Sequence, residues 1–93
     1  MRWTMLSRFK YGTIVDCYAG EDLKNNDIYV LDHVTKQVRK ARDCDEWLTC
    51  QLVYVYEVEG NRFSEKSDYS KSVTEGIIKK GQLCRCWICY LVL

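Results

Sequence analysis

The chain has 93 residues, 14 basic against 13 acidic side chains and a net charge of +1. That suffices for one small domain and leaves no general field for nucleic acid or a membrane surface. No apolar run approaches the roughly 20 residues that a membrane-spanning helix needs. The start, Met1-Arg2-Trp3-Thr4-Met5-Leu6-Ser7-Arg8, lacks the apolar core and cleavage site of a secretory signal, so synthesis in the cytoplasm is expected.

Residues 1–11 are aromatic and basic, with Trp3, Phe9 and Tyr11 set among Arg2, Arg8 and Lys10 and no acid. They are read as an N-terminal arm; the alternative is a first strand or helix covering the domain's own core. Residues 12–93 are read as a single β domain. Gly12 opens a strand through Thr13-Ile14-Val15-Asp16-Cys17-Tyr18, which enters a turn at Ala19-Gly20-Glu21. Leu23 is a lone apolar anchor, and Asn25-Asn26-Asp27 is a second turn. The spacing then predicts a hairpin: a strand over Asp27–Asp32, a tight interval from His33 to Gln37, and a half-exposed strand over Lys36–Ala41 around Val38.

After the polar turn Arg42-Asp43-Cys44-Asp45-Glu46 comes the strongest strand, Leu48 to Val58. Leu52, Tyr54, Tyr56 and Val58 fall on one face and Val53 and Val55 on the other, which places it in the centre of a sheet. Residues 61–75 are polar and serine-rich and read as one long solvated loop. Gly76–Gly81 gives a short strand and turn. Gln82 to Leu93 is a last strand with two apolar faces, to be covered by neighbouring strands or by another subunit. The expected fold is all-β: a single small antiparallel barrel or sandwich with an N-terminal arm and one long polar loop.

The stretch Ala19-Gly20-Glu21-Asp22-Leu23, then Asp27, a short apolar strand ending in Leu31-Asp32, a turn with Lys36, and Val38-Arg39-Lys40-Ala41 resembles the small capsid cement (head decoration) proteins of tailed bacteriophages. It differs in having Asn26 before Asp27, and a longer His33-Val34-Thr35 turn where an Asp-Gly is common. The resemblance covers about a quarter of the chain. It implies a structural virion protein that binds the outer capsid surface, stabilises the expanded head, has the major capsid protein as partner and is often trimeric. On that reading Arg2, Trp3, Arg8, Phe9 and Lys10 would contact the capsid, and Cys86, Trp87, Tyr90 and Leu91 would bury an oligomer interface; both assignments come from the apolar and basic character of those residues.

Other chemistry is weaker. Six cysteines invite a disulfide framework, but without a secretion signal they read as buried thiols. Cys84, Cys86 and Cys89 could hold zinc with a further ligand from Cys44, Cys50 or His33, although a strand would turn Cys89 away from the other two. A zinc-stapled binding module or a viral inhibitor of a host protein is the alternative function, and no cofactor is otherwise implied. Glu21, Asp22, Asp27 and Asp32 lack Ca²⁺-loop spacing, and turn capping accounts for Asp22 and Asp27. No phosphate loop, nucleophile elbow or dinucleotide fingerprint is present, so an enzyme is not expected. Lys36, Arg39, Lys40 and Arg42 are flanked by Asp32, Asp43, Asp45 and Glu46, which favours a solvated hairpin face over a nucleic-acid site.

Overall fold

The computed structural model describes residues 9–24, 27–62 and 78–91. Arg2, Trp3 and Arg8 of the expected arm and residues 63–75 of the expected loop lie outside the described residues, as do Asn25 and Asn26.

Six strands form one sheet: β1 (Phe9–Ala19), β2 (Tyr29–Asp32), β3 (Gln37–Lys40), β4 (Cys50–Val58), β5 (Asn61–Arg62) and β6 (Leu83–Leu91). The sheet runs β2-β3-β1-β6-β4-β5, and a further pairing of β2 with β4 closes five of the strands into a barrel that leaves β5 as a short flap on β4. The all-β expectation holds, in its barrel form. One pairing departs from it. β1 and β3 run parallel, with Tyr18 opposite Gln37 and Ala19 opposite Val38, while every other ladder is antiparallel.

The hairpin forms as the residue pattern requires. Leu31 stands opposite Val38 and Tyr29 opposite Lys40, with residues 33–36 as the turn. β-Branched and aromatic side chains on one face let Tyr29 and Val38 reach the interior, where both are fully buried. The opening strand is longer than expected. It begins at Phe9 instead of Gly12, so Phe9, Lys10 and Tyr11 pair with Leu91, Tyr90 and Cys89 and belong to the barrel and not to an arm. A register shift between Tyr11 and Ile14 bulges the strand at Gly12.

β4 starts at Cys50, two residues later than expected, because Leu48 and Thr49 belong to the preceding turn. It is central, between β6 on one edge and β2 followed by β5 on the other. Strict alternation would put Val58 with Leu52 and Tyr54. A register shift between Val55 and Glu57 inserts Tyr56 as an extra residue, and Val58 turns inward beside Val53 and Val55.

The interior is built from Ala19, Leu23, Tyr29, Val38, Val53, Val55, Val58, Ile78, Cys84 and Cys86. Leu23 joins it through an isolated bridge in which its N–H donates to Ile78 O at 2.8 Å and the Ile78 N–H donates back at 2.9 Å. Burying each such aliphatic side chain contributes about 1.5–3 kcal/mol. The outer face carries a second cluster of Leu52, Tyr54 and Cys89, with Ile28, Tyr56 and Trp87 against it. Both faces of β4 and β6 are therefore used.

Candidate interaction surface

At one end of the barrel the β2–β3 turn lies beside the turn that leads into β4. Asp32 ends β2, and its Oδ1 accepts hydrogen bonds from Val34 N at 2.8 Å and Thr35 N at 3.1 Å, while Lys36 N donates to Asp32 O at 2.8 Å. Lys36 takes a left-handed φ of 60° to return the chain into β3. An aspartate at the end of a strand is suited to this role, because its short carboxylate reaches the amides two and three residues ahead.

The second turn is tied in the same way. Asp45 Oδ2 accepts from Arg42 N at 2.6 Å, and Glu46 O accepts from Thr49 N at 2.9 Å, Cys50 N at 3.1 Å and Thr49 Oγ1 at 3.1 Å. A backbone bond joins the turns, His33 N donating to Thr49 O at 2.9 Å.

Arg39 binds both. Its Nε donates to Asp32 Oδ2 at 3.0 Å, its Nη1 to Asp45 Oδ2 at 3.0 Å and its Nη2 to Asp45 Oδ1 at 2.6 Å, with a further bond from Nη1 to Lys40 O at 3.1 Å. The planar guanidinium matches the Asp45 carboxylate with two parallel bonds, a geometry that a lysine cannot supply. Hydrogen bonding to Arg39 holds the Asp45 carboxyl below its ordinary range against the opposing effect of burial. The same guanidinium, with the Thr35 and Val34 amides, lowers Asp32.

Three apolar residues carried by these turns are exposed. Val34 is 82% exposed, Leu48 93% and Trp47 45%. Beside them a polar groove of about 180 Å³ runs between the Gly20–Glu21 turn and the outer face of β3, lined by Asp32, Arg39, Gln37, Thr35 and Arg42. Its charges are matched internally, since Arg42 also approaches Glu21 at 3.7 Å. Lys40 meets Asp27 at 3.9 Å. Arg39, Lys40 and Arg42 of the hairpin's basic group thus each face a carboxylate, and Tyr29, the aromatic of the same hairpin, is buried.

The residues singled out from sequence are spread through the fold. Of the expected capsid contacts, Lys10 is exposed on β1, Phe9 belongs to the same strand, and Arg2, Trp3 and Arg8 lie outside the described residues. The expected oligomer interface does not form one surface. Cys86 is wholly buried in the barrel and cannot meet a partner; Trp87 leaves the outer face, half-buried, and stacks at 5.8 Å on Tyr56. Tyr90 is exposed, three residues on from Trp87, an odd spacing that turns it to the opposite side of the strand; Leu91 pairs with Phe9.

The cysteines of the zinc alternative are divided too. Cys84 and Cys86 face the interior and Cys89 the outer cluster, and among the described residues no three metal-ligating side chains converge. Burial pushes the Cys84 and Cys89 thiols up to about 12 and raises Cys86 well above its ordinary range. Such thiols stay protonated and pack as small apolar groups.

The exposure of Val34, Trp47 and Leu48 is not legible in the sequence. Leu48 reads as the first residue of a strand, and Val34 as one residue of a hairpin loop. Comparison with protein-family models, curated proteins and solved structures finds no match to this chain.

Proposed function

We propose that the chain is a capsid cement protein, a structural component that binds the outer surface of a bacteriophage head and holds the expanded lattice together. The observation that carries this reading is the stretch from Ala19 to Ala41, whose sequence of turns and strands resembles that of head decoration proteins. In the barrel it makes a single unit: the Gly20 turn bonded to Val38 O, the Leu23 plug, and the β2–β3 hairpin. Exposed apolar residues on hydrogen-bonded turns support it, because a decoration protein acts by presenting a surface to a lattice.

A head offers hundreds of equivalent sites, so a modest contact from each subunit adds up. A protein that binds only the expanded lattice stabilises that state by mass action. The basic and aromatic N-terminal segment is a second point of attachment, and trimers gathered at local symmetry axes are the arrangement that the resemblance implies. Within β6, Trp87 is the side chain of the outer face that a neighbouring subunit would meet.

The test is co-sedimentation of the purified chain with expanded heads and with unexpanded precursors of the phage that encodes it, followed by the thermal stability of the decorated heads. Saturable binding to expanded heads and a raised disruption temperature are expected. A chain that remains in the supernatant with both particles overturns the reading. Removal of residues 1–8, which spares β1, should weaken binding and leave the fold intact.

A further inference from the structure

Cys17 and Cys84 stand directly opposite each other in the ladder between β1 and β6. Opposed residues of an antiparallel pair project to the same face of the sheet. Here that face is the interior: Cys84 is fully buried in the barrel's core, and Cys17, half-buried, packs against the same cluster. The other strand cysteines have different opposites. Cys86 stands across from Val15, Cys89 across from Tyr11 and Cys50 across from Asp32. Cys86 is the diagonal neighbour of Cys17, a position ordinarily about 7–8 Å away and too distant for a bond. The register thus selects one pair.

The Cα atoms of opposed residues in such a ladder lie about 4.5–5.5 Å apart, inside the roughly 4.4–6.8 Å that a disulfide spans. Their Cβ atoms, also about 4.5–5.5 Å apart, lie slightly beyond the roughly 3.5–4.5 Å of a relaxed bond. The strands must draw together a little to be joined, and a bond made under that strain is readily reduced again.

We infer that Cys17 and Cys84 form a reversible cross-strand disulfide with glutathione disulfide as oxidant, and that this bond locks the first strand of the sheet to the last. The Cys17 thiolate attacks one sulfur of glutathione disulfide, whose S–S bond breaks, and one glutathione leaves as a thiolate and takes up a proton. The Cys84 thiolate then attacks the Cys17 sulfur of the mixed disulfide, and the second glutathione leaves in the same way. Two protein thiols are oxidised, one glutathione disulfide is reduced to two thiols, and the protons given up by the cysteines pass to glutathione. Burial raises both thiols in the closed barrel, so the exchange proceeds while β1 and β6 come together, before the core excludes the reagent. The loop so closed contains most of the chain, the case in which a cross-link restrains the unfolded state most.

The experiment refolds the chain from urea in a buffer of reduced and oxidised glutathione, blocks the remaining thiols and digests with trypsin without reduction. Cleavage after Arg85 separates Cys84 from Cys86 and Cys89, so the linked peptide names the pair. Mass spectrometry should find residues 11–24 joined to residues 81–85. The urea midpoint should lie about 1 M above that of the same chain reduced with dithiothreitol, and Cys17→Ala should give one midpoint in both buffers. The map of the wild-type chain decides the pairing independently of that variant. Both thiols recovered blocked, Cys17 joined to any other cysteine, or a linked chain no more stable than the reduced one overturns the proposal.

Discussion

Arg39 meets Asp45 through two parallel hydrogen bonds, of 3.0 and 2.6 Å, at a site where Asp45 is only 5% exposed. The carboxylate also accepts Arg42 N, so both of its oxygens are occupied by donors. Without the guanidinium it would stand nearly buried with one backbone partner. That asymmetry makes the pair a sensitive point for pH.

Asp45 and Asp32 are both held below the ordinary carboxylate range by Arg39. A lowered folded-state pKa gives stability that is present above the unfolded value of about 4 and is lost as pH falls through the folded value. Stability should therefore be flat near neutrality and decline below about pH 4. In Arg39→Met, Asp45 is left without its main partner, and a loss of about 3 kcal/mol at pH 7 is expected. The gap to wild type should narrow on acidification, as the orphaned carboxyl takes up a proton. Urea unfolding at pH 7 and pH 4 reads it; an equal gap at both values would exclude the pairing as the cause.

A second prediction concerns Gly12. A Cβ there would lie 1.8 Å from Tyr90 Cε2 and 2.3 Å from Cδ2, because the Tyr90 ring crosses the bulged backbone of β1. Gly12→Ala must displace the ring, at a cost of about 1–3 kcal/mol. In a Tyr90→Ala background the same change should cost little. The two substitutions are expected to be strongly non-additive in a thermal-unfolding cycle, and additive costs would remove the contact.

Thiol chemistry offers a third check. Of the six cysteines, Cys44 is exposed, Cys17 half-buried and the remaining four buried. Burial raises the thiols of Cys17, Cys50, Cys84, Cys86 and Cys89. At pH 8 a disulfide reagent such as Ellman's should titrate Cys44 rapidly in the folded protein, with the others following only on unfolding. Rapid labelling of Cys86 by mass mapping would contradict its place in the barrel.

Leu23 provides the fourth. It is fully buried, far in sequence from its partner Ile78, and held there by a two-bond bridge. Leu23→Ala should destabilise the fold by about 2–5 kcal/mol, measured as a shift of the urea midpoint with little change in slope.

Local chemistry made much of this legible. Alternating apolar residues with Asp at the turn marked the hairpin, and two apolar faces marked β4 and the last strand as central. Closure of the barrel was not legible, because the parallel contact of Tyr18 with Gln37 joins segments whose sequences carry no sign of each other. Alternation alone puts Val58 on the wrong face, because a bulge at Tyr56 breaks a period of two without a glycine to announce it. Asp45 looked like one more acid in a polar turn; its value comes from Arg39, which comes close only once the hairpin has folded. Leu48 and Val34 were hidden for the converse reason, since apolar residues are expected inside and these two stand in solvent.

The ladder between β1 and β6 sets the order in which the barrel can form. Its partners, from Phe9 with Leu91 to Tyr18 with Leu83, come from the first and last strands of the sheet. The β2–β3 hairpin can nucleate early, from contacts a few residues apart, but β1 has only its short parallel contact with β3 until β6 has been synthesised. Closure then carries the entropy of gathering almost the whole chain, which makes it the slow step. Until it happens, the cysteine-rich and largely apolar last strand is an adhesive edge, and the newly made chain is most vulnerable to aggregation in that interval.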